Sequence, residues 1–268
     1  MKILAIGPYV GNLEQEITTF RPYTEWLSSI VDYDEIIIST HHNRMFLYSN
    51  FIKKDNIIPI YQMFSRDELK QNGFIHEDIL QKDYNFLIKN FKDDIIKLGY
   101  RKKDIENVYI KYRKITVQYP IHNKKFSKIE IEEKYLLNEY NNKILYIPYK
   151  INQKIYYEDV VVVGGIDCGL KEQNVLLNRL DYYQNGLKYL ISLINNCKGV
   201  ITPLSYYTLI ANLQGIPVLS WGEDVSVYRE GGMYNFGNKK CRILPTMDNT
   251  MLVKNINTFI EDINNGKI

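Results

Sequence analysis

The stretch from Val200 to Ser220 carries the clearest chemical pattern in this chain of 268 residues. Val200-Ile201-Thr202 reads as a strand, Ser205 as the N-cap of a short helix through Gln214, and Gly215 as the left-handed residue that ends it. Pro217 blocks continuation, and Val218-Leu219-Ser220 reads as the returning strand. A helix that opens at the carboxyl end of a parallel strand presents unpaired N–H groups and the positive end of its dipole, which favours a phosphate. A plain strand–helix–strand crossover needs the same caps, so the local pattern leaves both readings open. Just beyond, Glu223 can accept a hydrogen bond from a ligand hydroxyl. Trp221 and Tyr206 offer faces for stacking on a base or sugar.

Two more groups of residues invite chemistry. Glu14 and Glu16 follow the first strand, in a loop whose Gly7 and Gly11 allow close backbone approach to a ligand. The segment 97–128 holds ten Lys/Arg against Asp104 and Glu106, a local balance of +8, with Tyr100, Tyr109, Tyr112 and Tyr119 interleaved. Such a segment is either a solvated insertion or a surface for a polyanion, with Lys102, Lys103, Lys124 and Lys125 as its phosphate contacts. The whole chain carries only +3, so any such field is local. No metal site is expected. Cys168, Cys197 and Cys241 are widely spaced without a paired motif, and His41-His42 are adjacent and cannot share a strand face.

Stepping along the chain, Lys2 to Ile6, Glu35 to Ser39 and Ile57 to Ile60 read as buried strands. Pro22 fits the first turn of a helix through Trp26, Leu27 and Ile30. Leu80, Tyr84, Leu87, Phe91, Ile95 and Leu98 mark one buried helix face, with Gly99 as its stop. After a boundary placed between Asn141 and Gln153, the α/β pattern resumes. It comprises the strand Val160 to Val163, a helix through Leu187, Leu190 and Ile194, the Val200–Ser220 unit, and a closing amphipathic helix from Met251 to Ile263. No apolar run reaches the roughly 20 residues that cross a bilayer, and no signal-peptide pattern opens the chain, which predicts a cytoplasmic protein without a membrane span. The abundance of Asn, Ile, Lys and Tyr (23 tyrosines) fits an A+T-rich genome, viral or bacterial.

Ser205, Ala211 and Gly215-Ile216-Pro217 together resemble the serine–helix–AxxxGxP element of the C-terminal lobe of GT-B glycosyltransferases, closest to the heptosyltransferase-like group. The resemblance spans roughly residues 155 to 245. Within it, Val160 to Val163 and Gly164-Gly165 look like the strand and glycine turn that open that lobe. Tyr206 stands where the family has Gly and Leu209 where it has His, so a heptose donor is not implied. At the other end, Gly7-Pro8, Gly11 and Glu16-Ile17, followed by Leu47-Tyr48-Ser49-Asn50-Phe51, are similar to glycosyltransferase-like proteins of phage and bacterial genomes that begin GPxxGEFGWEL and continue with LYxDF. Glu16 falls on the second Glu of that motif, Asn12 replaces the first, and Gln15 replaces the Trp.

The resemblance implies a compact GT-B-like α/β fold, two Rossmann-like lobes with parallel sheets and a cleft between them. Residues 1–147 would form the acceptor-side lobe with a basic insertion at 97–128, and 148–268 the nucleotide-sugar lobe. The implied function is transfer of a sugar from a nucleotide-sugar to an acceptor hydroxyl, without a metal or cofactor. Glu16 would be the base that takes the acceptor proton. Gly11, Gly164, Gly165, Ser205, Tyr206, Trp221 and Glu223 would bind the donor. The basic segment tilts the expected acceptor toward a hydroxymethylated base in viral DNA. The alternatives are a glycan or lipid-linked sugar acceptor, and a non-catalytic nucleic-acid-binding module. A sugar-nucleotide epimerase of this fold would want a histidine beside its carboxylates, and the C-terminal half has none.

Overall fold

The computed structural model describes residues 1–9, 13, 16–60, 80–108, 127–147, 157–163, 174–175, 180–223, 225, 236–245 and 248–268. The chain divides into two compact units, Met1–Lys125 and Phe126–Ile268.

The first unit holds a parallel sheet of β1 (Ile3–Ile6), β2 (Glu35–His41), β3 (Ile57–Ile60) and β4 (Ile105–Val108), in the order β3-β2-β1-β4. All four residues of β1 are buried, as expected for a strand covered on both faces. α1 (Arg21–Ile30) has Pro22 in its first turn, as expected. α2 (Leu80–Lys97) packs Phe91 and Ile95 against Ile3, Ala5, Ile37 and Ile58, and ends at Gly99 with φ +96°. β4 is a correction to the reading of 97–128 as a solvated insertion. Ile105 pairs with Ile3 and Val108 with Ile6, so part of that segment is a strand of the sheet.

The second unit holds β5 (Ile144–Tyr146), β6 (Val160–Val163), β7 (Asn174–Val175), β8 (Gly199–Pro203), β9 (Val218–Trp221) and β10 (Cys241–Leu244). Every pairing is parallel and the order is β10-β9-β8-β5-β6-β7. Counted within the unit this is 3-2-1-4-5-6, the order of dinucleotide-binding sheets, with the direction of winding reversing between β5 and β8. Its helices are α3 (Leu180–Asn196), α4 (Tyr206–Gln214) and α5 (Asn249–Asn264). α5 buries Leu252, Ile256, Phe259 and Ile260 against the sheet, each contributing about 1.5–3 kcal/mol.

The unit boundary lies earlier than the expected 147/148, because β5 sits at the centre of the second sheet, bonded to β6 and β8. Upstream of it, buried Ile129 is gripped by α4. Its N–H donates to Gln214 Oε1 at 3.2 Å and its carbonyl accepts from Gln214 Nε2 at 2.9 Å. Among the described residues no helix is long and apolar enough to cross a membrane.

Candidate functional site

In the second unit, β8 runs into Leu204-Ser205 and α4 starts at once. Ser205 is extended at φ −165°, ψ −179° and forms a capping box with Thr208, whose hydroxyl accepts the Ser205 N–H at 3.3 Å. Gly215 closes the helix at φ +73°, as its position predicts. The α4 N-terminus therefore points its first N–H groups outward from the carboxyl end of β8, beside the strand-order reversal. That is where open parallel sheets take ligands.

Buried hydroxyls lie beneath this turn. Thr202, Thr208 and Ser220 are all fully buried. Thr208 Oγ1 lies 2.8 Å from Ser220 Oγ and donates to the Pro203 carbonyl at 3.3 Å, while Thr202 Oγ1 lies 3.4 Å from Ser205 Oγ. The sequence carries no signal for these partners, because a capping box is marked by Glu or Gln three residues after the cap and Thr208 stands there instead.

The other expected donor residues divide. Tyr206 is half-buried at the mouth of the turn, its ring stacked on Tyr207 at 4.4 Å. Glu223 is exposed just past β9. Trp221, expected to stack on a ligand, is 1% exposed and packs in the core beside α5. Its carbonyl instead accepts the Leu204 N–H at 2.9 Å, so it braces the turn from behind. Gly164 and Gly165, directly after β6, lie outside the described residues, as do Gly11, Lys124 and Lys125.

In the first unit Glu16, expected as the base on the loop after β1, is held inside the fold. Glu16 opens a π-helical turn (Glu16–Phe20) before α1 and is fully buried. Its Oε1 accepts from the hydroxyls of Thr40 and Tyr48, the latter at 2.7 Å, and its Oε2 accepts from Arg44 NH1 at 2.9 Å. Burial pushes the Tyr48 phenol well above its ordinary range, with the Glu16 charge adding to the effect, so Tyr48 stays a donor. Arg21 is fully buried next to this cluster, with Nε donating to the Leu47 carbonyl at 2.6 Å and the guanidinium 5.6 Å from the Phe51 ring. The two halves of the N-terminal motif, Glu16 and the Leu47–Phe51 run, thus meet at the carboxyl edge of β2. Gly7 serves packing as well. At φ +110°, a Cβ there would stand 2.9 Å from the Ser39 carbonyl, so the close approach to β2 requires glycine.

Lys102 and Lys103 are exposed in a turn that leads into β4. Because β4 runs parallel to β1, with Ile105 opposite Ile3, they stand at the amino edge of the sheet, opposite the carboxyl edge where Glu16 lies. Nearby, Arg101 is paired with Asp104 at 2.7 Å, and Lys97 with Asp94 at 2.7 Å. Among the described residues no group of three His, Cys, Asp or Glu is placed to hold a metal ion.

No protein-family model matches the sequence, and no curated protein matches it. Solved structures do match. A glycosyl transferase family 9 protein from Veillonella parvula is 12% identical, covers 97% of both chains and gives a TM-score of 0.53. The heptosyltransferase WaaC of E. coli, solved with ADP, is 9% identical, covers 98% of this chain and 100% of its own, and gives 0.50. The chain has the fold of these glycosyltransferases. The expected α/β, GT-B-like class with parallel sheets holds along nearly the whole length.

Proposed function

We propose that this protein transfers a sugar from a nucleotide-sugar to an acceptor hydroxyl, with the donor diphosphate seated at the β8–α4 turn. The observation that carries the reading is the Ser205-capped helix opening from the carboxyl end of β8, beside the reversal point of a 3-2-1-4-5-6 sheet. As the acceptor hydroxyl attacks the anomeric carbon, its proton leaves to water, the bond to the diphosphate breaks and negative charge builds on the leaving phosphate. Fixed N–H donors and the helix dipole at that point stabilise the charge without reorganising. This also suits a transfer that needs no metal. The relative solved with ADP supports a nucleoside diphosphate as the leaving group. Tyr206 would flank the donor ring system and Glu223 would accept from a ribose or sugar hydroxyl. Glu16 would act as a clamp that holds the ligand edge of the first sheet.

A glycan or lipid-linked sugar is the acceptor this arrangement favours. The amino-edge placement of Lys102 and Lys103 removes two of the four lysines that argued for DNA.

Thermal shift and calorimetry against ADP, UDP, GDP and their sugar conjugates test the donor site. Ligand at about a hundred times its Kd stabilises the fold by about 2.7 kcal/mol, a rise of several degrees in Tm. Ser205→Glu places a carboxylate where the diphosphate sits and should abolish binding while the protein stays folded. Undiminished nucleotide affinity in that variant would remove α4 from the site.

A further inference from the structure

We propose that Thr208 is a positioning residue for the donor, holding the β8–α4 turn in its binding shape from beneath. This inference rests on the donor site proposed above. A threonine hydroxyl has one hydrogen to donate and two lone pairs to accept with. At Thr208 the hydrogen goes to the Pro203 carbonyl at 3.3 Å, and one lone pair takes the Ser205 N–H at 3.3 Å. With that hydrogen committed, we assign the 2.8 Å contact to Ser220 Oγ as Ser220 donating into the remaining lone pair. The hydroxyl is fully used, and both Thr208 and Ser220 are wholly buried.

Two of those three bonds grip the peptide groups on either side of Leu204, the residue that carries the chain from strand to helix. The third ties the node to the carboxyl end of β9. The turn is further held by the Leu204 N–H on the Trp221 carbonyl at 2.9 Å. It is confined from the side as well, for a Cβ at Gly222 would stand 2.7 Å from Leu204 Cδ1. One side chain that never reaches the surface therefore fixes where the Ser205 hydroxyl and the first N–H groups of α4 point. Preorganised donors are worth more to an anion than donors that must be ordered on binding.

Thr208→Val keeps the shape and deletes all three bonds at once, whereas Thr208→Ser retains them. Calorimetry is run with ADP and with adenosine, or with the UDP or GDP pair if that base binds more tightly. The expected result is a ten- to hundredfold loss for the diphosphate in Thr208→Val. Nucleoside affinity should be little changed, and Thr208→Ser should recover to within about threefold of wild type. General loosening of the unit would weaken diphosphate and nucleoside alike, so their affinity ratio reports the turn itself. Should Thr208→Val fail to fold, Ser220→Ala removes one bond of the node and is expected to lower the ratio about threefold. A ratio equal to wild type in the folded variant overturns the role of Thr208, even where Ser205→Glu abolishes binding and the donor site stands. A wild-type protein that binds none of the diphosphates overturns the donor reading and this inference with it.

Discussion

Glu16→Gln separates a clamp from a base. The glutamine carbonyl can still accept from Thr40 and Tyr48, but its amide then faces Arg44 NH1, donor against donor, where 2.9 Å now separates opposite charges. Removing one member of a buried ion pair costs about 3–5 kcal/mol, because the partner charge is left uncompensated. The Arg44 side chain keeps 19% of its exposure and water relieves part of that penalty, so about 3 kcal/mol is the working figure. At roughly 4 °C per kcal/mol for a unit of this size, Tm should fall by about 12 °C. The assay is thermal and urea unfolding of Glu16→Gln, Arg44→Met and the double variant. Because the double variant removes the Arg44 charge that faces the new amide, the cycle should show a coupling of at least about 1 kcal/mol. A Tm within about 2 °C of wild type combined with a 10²–10⁴-fold loss of turnover would refute the clamp and restore Glu16 as the base.

Further outcomes can be checked separately. Gln214→Leu strands the buried N–H and weakens the support of the carbonyl of Ile129. It should therefore cost about 2–3 kcal/mol in urea unfolding, and a change below about 0.5 kcal/mol would show that the segment before β5 is held by other contacts. Burial pushes the thiols of both Cys197 and Cys241 up to about 12, so in a Cys168→Ser background neither should react with iodoacetamide at pH 8.5 until urea is added. Rapid labelling of the native protein would contradict the burial of Cys197 and the raised thiol of half-buried Cys241. Replacing Lys102 and Lys103 by glutamine should leave both the acceptor KM and its salt dependence unchanged, with stability within about 0.5 kcal/mol. A flattened salt response would return a polyanionic acceptor to consideration.

Much of this protein is legible along the chain because the deciding forces are local. Ser205 and Gly215 mark the ends of α4 by cap chemistry that depends on one or two backbone angles, and the structure places both as expected. The apolar runs of β2, β3 and β6 announce buried parallel strands because such strands are covered on both faces. What remained hidden is non-local. β5 has three residues, too few for any periodicity, yet it is the strand about which the second sheet reverses. Trp221 follows its strand like a surface aromatic, and only the packing of α5 beneath the sheet turns it into core. Glu16 reads as a loop acid because nothing near it in sequence reveals that Thr40, Arg44 and Tyr48 converge on it from 24 to 32 residues away. Lys102 and Lys103 read as part of a ligand surface until the parallel pairing of β4 with β1 assigns them to the opposite edge. Caps and hydrophobic runs are written residue by residue. Strand order, and with it which side chains reach the ligand edge and which are buried, is set only when distant segments pair.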